Sequence, residues 1–267
     1  MTTDITEFPQ VPYKELRVTR SGPVLRAELN SPGTGNALTG TTLDELLALL
    51  DGLRESPEVR VLVLSGAGDD FCVGADRVDL ESALDTDPRG AQLRGLGEKA
   101  RRVCEALENT HAVTIARLHG RVIGAGVGLA LFCDLRAAAD SSRFRLPELA
   151  LGLPPAWGGM LPRLLAEVGA ARVRELVITG ATFDASTAFT LSIVHRVVLA
   201  AELDTTVENW VKPLVRRPPE ALRLAKLMLN AYAKAGRFMD GTLLDSHLFA
   251  TALAAHRRTD PEAGPHR

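Results

Sequence analysis

The chain has only three cysteines in 267 residues, Cys72, Cys104 and Cys133, and no pair of them at CxxC spacing. So sparse and odd a set excludes a disulfide framework and a structural zinc site, and it fits a reducing cytoplasm. Aromatic residues make up 4% of the chain, too few for a surface on which bases stack. Lys+Arg 31 against Asp+Glu 33 leaves a net charge of −2. That balance gives no general attraction to nucleic acid or to an anionic membrane, so neither is an expected partner, and any anionic ligand must be held by local groups. No apolar run approaches the ~20 residues of a membrane-spanning helix. Met1 to Gln10 is polar and acidic and lacks the basic and apolar regions of a secretory signal. GxSxG, HExxH and GxxxxGKS/T are all absent, and the six histidines show no metal-ligand spacing, so no metal site is expected.

What remains is ordinary globular composition, 46% hydrophobic and 24% charged, in a length that suits one large α/β domain with an appendage. Residues 1–12 read as a loose arm. Val24 to Leu29 reads as a strand that runs into a Pro/Gly loop at 31–35. Thr42 with Glu45 makes a capping-box pattern ahead of Leu43, Leu46, Leu47 and Leu50, one apolar helix face. Val59 to Leu64, Ala112 to Leu118 and Leu135 to Ala139 read as buried strands, and strand–helix–strand order predicts parallel pairing. Residues 77–95 read as charged loop, with a helix from about Gln92 to Asn109. A Gly-rich turn over 120–128 opens a helix to about Cys133. Asp184 can cap a short helix, and Val194 to Leu199 can form a last strand. Helices are expected near 201–216, 219–235 and 238–257, before a frayed polar tail from Thr259. This divides the chain into a core over 1–200 and a helical region over 201–267.

Three segments could carry chemistry. In Gly66-Ala67-Gly68-Asp69-Asp70-Phe71-Cys72-Val73-Gly74-Ala75-Asp76, Gly74 permits a tight turn that presents the Ala75 N–H to a ligand; taken alone, the segment favours a plain strand-to-loop turn. In His119 to Gly128, the small residues Gly124, Ala125, Gly126 and Gly128 allow close approach to unpaired N–H groups at a helix start. They would stabilise a phosphate or an oxyanion; close helix-to-sheet packing is the structural alternative. In Phe144 to Gly159, Glu148 is a lone carboxylate amid Leu and Pro. If desolvated it would have a raised pKa and could cycle as an acid/base; otherwise it is a surface or capping glutamate.

Taken in order, these segments resemble the crotonase superfamily, the enoyl-CoA hydratase/isomerase family. The resemblance runs from about Leu25 to Ala235. It is carried by Leu29-Asn30-Ser31-Pro32, Asn36-Ala37-Leu38, Phe71-Cys72-Val73-Gly74-Ala75-Asp76, His119-Gly120, Gly124-Ala125-Gly126, Cys133-Asp134, Pro147-Glu148 with Leu151-Gly152, Gly158-Gly159 and Ala221 to Lys226. It implies an α/β fold, a spiral of ββα units with a helical C-terminal trimerisation region, assembled as a trimer or a dimer of trimers. It also implies an acyl-CoA thioester substrate, as in fatty acid metabolism, whose enolate is held by the N–H groups of Ala75 and Ala125. Glu148 would be the acid/base, and Gly74, Asp76, Arg77, Gly124, Gly126, Gly128, Pro147 and Trp157 would line the substrate site. No cofactor is implied beyond the coenzyme A of the substrate itself.

Departures from the family pattern narrow the expected activity. Hydratases of the family use two glutamates, and the position of the first is Gly128 here. One carboxylate suits a proton shuttle from C2 to C4, a Δ3-to-Δ2 enoyl-CoA isomerase. The acidic residue of the dienoyl-CoA isomerases is replaced by Ala156, and the dihydroxynaphthoyl-CoA synthases lack the glutamate kept here. A basic residue common before Asn36 is Gly35, and a lysine common after the first motif gives way to Asp76-Arg77-Val78. Arg77 is the substitute anion contact or a solvated surface residue. Trp157 lines the acyl pocket or packs in the core. A hydratase with a different water-activating group, an acyl-CoA decarboxylase or hydrolase, and a non-catalytic crotonase-like subunit are the alternatives.

Overall fold

The computed structural model describes residues 12–87, 89–235 and 244–259. In chain order the strands are β1 (Leu16–Ser21), β2 (Val24–Leu29), β3 (Val61–Gly66), β4 (Val113–Leu118), β5 (Arg121–Ile123), β6 (Leu135–Ala139), β7 (Arg143–Arg145), β8 (Phe183–Asp184) and β9 (Arg196–Val198). The helices are α1 (Gly40–Arg54), α2 (Arg77–Thr86), α3 (Ala91–Asn109), α4 (Ala125–Leu131), α5 (Met160–Val168), α6 (Ala170–Thr179), α7 (Ala185–Thr190), α8 (Leu203–Leu214), α9 (Pro219–Ala235) and α10 (Asp245–Thr259).

The main sheet has the order β1-β2-β3-β4-β6-β9, with β1 antiparallel to β2 and the other pairs parallel. Its central strands are apolar on both faces because both faces are covered. Leu62 and Leu64 of β3 face the core under α1 and α3, while Val61 and Val63 join Ile115, Ala137 and Leu203, Val207 and Val211 of α8 on the other side. A second sheet, β5-β7-β8, stands beside it. The chain passes from β4 into β5 across only His119 and Gly120, and from β6 into β7 across residues 140–142. β4 and β6 therefore each hand the chain to a short strand of the second sheet, and α4 or a 3-10 turn follows.

The helices after residue 200 pack on the same chain. Buried Lys226 of α9 donates to Asp134 Oδ2 at 2.7 Å and to the carbonyls of Ala112 at 2.9 Å and Leu107 at 3.3 Å. Phe249 and Ala250 of α10 close a small core with Leu84, Leu93 and Leu153.

Several local expectations change. α1 starts three residues earlier than the Thr42–Glu45 pattern implied. Its cap is Thr39, whose hydroxyl accepts from Thr42 N at 3.0 Å. Glu45, a turn too deep to cap, instead accepts from the backbone N–H groups of Lys14, Glu15 and Leu16 and anchors the start of β1. Residues 77–86 are helix α2 rather than loop: Leu80, Ala83 and Leu84 form an apolar face despite the surrounding charge. Within the expected turn over 120–128, Arg121–Ile123 is a strand paired in parallel with β7. The sequence reading did not anticipate β1 or β7. The expected arm and tail fall almost wholly outside the described residues, as do residues 236–243.

Candidate active site

Two motif segments meet in parallel register. Cys72 bridges Val122, with Cys72 N donating to Arg121 O at 3.1 Å and Ile123 N to Cys72 O at 3.0 Å. Counting three residues on from each partner brings Ala75 abreast of Ala125. The approach is tight: a Cβ placed on Gly74 would lie 3.6 Å from the Ala125 nitrogen and 3.1 Å from Ile123 O. Gly74 has φ 104° and Gly124 has φ 50° with ψ −116°, backbone that L side chains rarely adopt. Gly126 is a contact rather than a binding group, since a Cβ there would lie 2.5 Å from Cys72 O.

On its other side the first segment pairs with Leu38. Leu38 N donates to Gly74 O at 2.8 Å, and Asp76 N donates to Leu38 O at 2.9 Å. In a parallel bridge this uses the groups flanking Ala75 and turns the Ala75 N–H away from Leu38. The Ala125 N–H opens α4 and has no intrahelical acceptor. Neither N–H donates to an acceptor among the described residues. Two free donors side by side can hold one oxygen on which negative charge develops.

Glu148 stands beside these donors. A 3-10 turn at Glu148–Leu151 follows Pro147 and begins with Glu148 itself. A Cβ placed on Gly124 would meet Glu148 Oε1 at 3.2 Å and Pro147 Cδ at 3.8 Å, so the carboxyl stands against the residue just before Ala125. Glu148 is 8% exposed, and its Oε2 has no hydrogen-bond partner among the described residues. Desolvation pushes its pKa from 4.5 to about 7, and its own backbone N–H offsets this only partly. A carboxyl that titrates near neutrality can both accept and return a proton.

The other predicted residues divide. Asp76 caps α2, accepting from Asp79 N at 2.9 Å, so its side chain is engaged in the fold. Arg77 is exposed on the first turn of α2. Gly128 and Trp157 touch each other: a Cβ on Gly128 would fall 2.7 Å from Trp157 Cε3. His119 bonds Gly68 O at 2.9 Å and Arg117 at 3.2 Å, a structural role.

Three supporting residues carry roles that were not expected from the sequence: Asn36, Asp70 and Arg121. Asn36 is buried at φ 56° and donates to Ala67 O and Asp70 O while accepting from Ser31 N. The Asp70–Arg121 pair clamps the first motif loop to β5 through Arg121 N, Nε and Nη2 at 2.7–3.0 Å. The Arg121 guanidinium holds the Asp70 pKa low and stands over Gly35, 3.3 Å from where a Cβ would be. Asn36 lay within the Asn-Ala-Leu piece; nothing in the sequence signalled the Arg121 pairing.

A family profile described as enoyl-CoA hydratase/isomerase matches residues 19–264. The chain belongs to that family. A crotonyl-CoA hydratase of Syntrophomonas wolfei is 34% identical over 207 residues, 76% of each chain. A short-chain-enoyl-CoA hydratase of Clostridium acetobutylicum is 32% identical over 212 residues, 79% of each. A Thermobifida fusca structure in complex with acetoacetyl-CoA superposes with a TM-score of 0.75 at 32% identity, covering 92% of this chain and 95% of that one. The fold is thus the α/β crotonase fold of the enoyl-CoA hydratase/isomerase family.

Within this family member the buried carboxyl carries a folding cost. Glu148 holds its proton in the fold up to about pH 7 but loses it in the unfolded chain near 4.5. The native state binds more protons in that window, so stability falls as pH rises through it, by on the order of 3 kcal/mol. Glu148→Gln removes the titration. Its melting temperature should therefore gain several degrees on the wild type between pH 5 and pH 8.5, as read by thermal denaturation. A difference between the two proteins that stays constant across that range would contradict the buried, raised-pKa assignment.

Proposed function

We propose that the protein is an acyl-CoA enzyme that moves a double bond, converting a 3-enoyl-CoA into the 2-enoyl-CoA. The observation that carries this reading is the single desolvated carboxyl of Glu148 standing beside two unpaired N–H donors, with no second carboxylate at position 128. The thioester oxygen accepts from the N–H groups of Ala75 and Ala125. Ionised Glu148 takes a proton from C2, and the electron pair moves onto the thioester oxygen as a dienolate. The same carboxyl returns the proton at C4, and the double bond ends between C2 and C3. Glu148 finishes ionised, ready for another turnover. Each preorganised donor contributes roughly 10²–10³ in rate, and the carboxyl about 10²–10⁴. The names of the relatives support an acyl-CoA thioester as substrate, as does the acetoacetyl-CoA held by the Thermobifida fusca structure. No metal or further cofactor enters these steps.

The relatives' hydratase names favour a second reading, hydration of the 2-enoyl-CoA with another group activating the water. Parallel assays on the two substrates separate them. The isomerase reading expects the wild type to turn over the 3-enoyl-CoA faster than it hydrates the 2-enoyl-CoA. Glu148→Gln should lose roughly 10²–10⁴ of kcat with little change in ligand affinity. Hydration that dominates in the wild type would overturn it. No turnover of either substrate, with Glu148→Gln silent, would favour a non-catalytic subunit.

The assembly that accompanies this reading is a trimer or a dimer of trimers in the cytoplasm. Leu224, Leu227, Met228, Leu229 and Tyr232 leave α9 with apolar side chains exposed, which supports burial against another copy. The free, buried state of all three cysteines supports a reducing compartment. Among the described residues no helix is long and apolar enough to cross a membrane. Light scattering at micromolar concentration should give about three or six times the 28.6 kDa chain mass; a monomer would contradict the assembly.

A further inference from the structure

We infer that Trp157 is the specificity-determining residue that confines this site to one carboxylate: its indole fills the volume into which any side chain at position 128 would project. The inference rests on the isomerase reading for its functional half and on packing alone for its structural half.

Gly124 caps α4 and Gly128 lies one turn inside it, joined by the Gly128 N to Gly124 O bond at 3.1 Å. At the first position the neighbour is Glu148 Oε1, 3.2 Å from a would-be Cβ. At the second it is the indole, with Cε3 at 2.7 Å and Cζ3 at 3.0 Å, backed by Met160 Sδ at 3.5 Å. The start of α4 therefore has the carboxyl beside its cap and an aromatic wall one turn further on.

The wall has little freedom to move. Trp157 is 8% exposed and belongs to the main core. Gly158, next in the chain, packs against α3 so closely that a Cβ would lie 2.7 Å from Cys104 Sγ. Gly159 N donates to Asp245 Oδ2 of α10 at 3.0 Å. A side chain at 128 must then displace a ring pinned from α3 and α10, which is why the position is glycine. An indole offers one N–H donor and no acceptor, so it cannot take a proton from water. Hydration adds the oxygen of water to C3 and a proton to C2, and needs a base for the water. The shuttle from C2 to C4 needs none beyond Glu148.

A thermal-denaturation cycle over the wild type, Gly128→Ala, Trp157→Leu and the double variant tests the packing without any substrate. Gly128→Ala alone should lower the melting temperature by roughly 3–10 °C, and most of that loss should vanish in the Trp157→Leu background. An additive cycle, including a double variant too unstable to fold, overturns the proposal. The functional half is read from Gly128→Glu combined with Trp157→Leu. Its ratio of hydration to isomerisation should rise about tenfold or more over the wild type. A folded double variant with an unchanged ratio overturns the role of Trp157 in specificity. A wild type that fails to isomerise would sink the functional reading, while the denaturation cycle still decides the packing.

Discussion

The hydrogen-bonded pairing of Cys72 with Val122 is the constraint on which the site depends. It sets two loops, 50 residues apart in sequence, in parallel register, and equal steps from that bridge bring Ala75 and Ala125 abreast. Three glycines serve that approach. Gly74 lets its strand pass the Ala125 nitrogen, Gly126 lets α4 lie on Cys72, and Gly124 turns the chain from β5 into α4. The Asp70–Arg121 pair and the buried Asn36 amide hold the first loop from behind. Because the donors are backbone groups, their direction is set by the pairing and not by a rotamer, the preorganisation that charge stabilisation requires.

Function here works against stability. A carboxyl with an unpartnered oxygen sits buried beside the donors, and a folded chain selected only for stability would replace it. Its burial is what brings proton affinity close to neutrality, and the surrounding core tolerates the cost. Contrast buried Lys226 and half-buried Asp134, whose charges are mutually paired and further bonded to Ala112 O and Thr114. That pair joins a C-terminal helix to the core. Among the described residues Glu148 Oε2 has no such partner, and that is what makes Glu148 the candidate for proton transfer in the proposed reaction.

Apolar runs made the central strands legible, since β3, β4 and β6 are covered on both faces and need no alternation. The small-residue segments made the donor positions legible, because only glycine permits the backbone geometry found at Gly74 and Gly124. Glu148 stood out as one acid among Leu and Pro. What stayed hidden depended on tertiary partners. Strands β1 and β7 are short or half-exposed, and they exist through pairing with β2 and β5. The face of α2 was masked by charge and emerges only against α3. The capping of that helix by Asp76, a residue expected at the substrate site, was likewise not legible. The reason for glycine at 128 could not be seen without the ring of Trp157, 29 positions later in the chain.

The central claim is that the Ala75 and Ala125 N–H groups act on a single oxygen. A crystal structure with a non-hydrolysable enoyl-CoA analogue bound measures this directly. The account predicts one carbonyl oxygen about 2.7–3.1 Å from both nitrogens, with Glu148 within reach of C2 and C4. A carbonyl oxygen bonded to neither nitrogen, or two N–H groups directed at different acceptors, would contradict it.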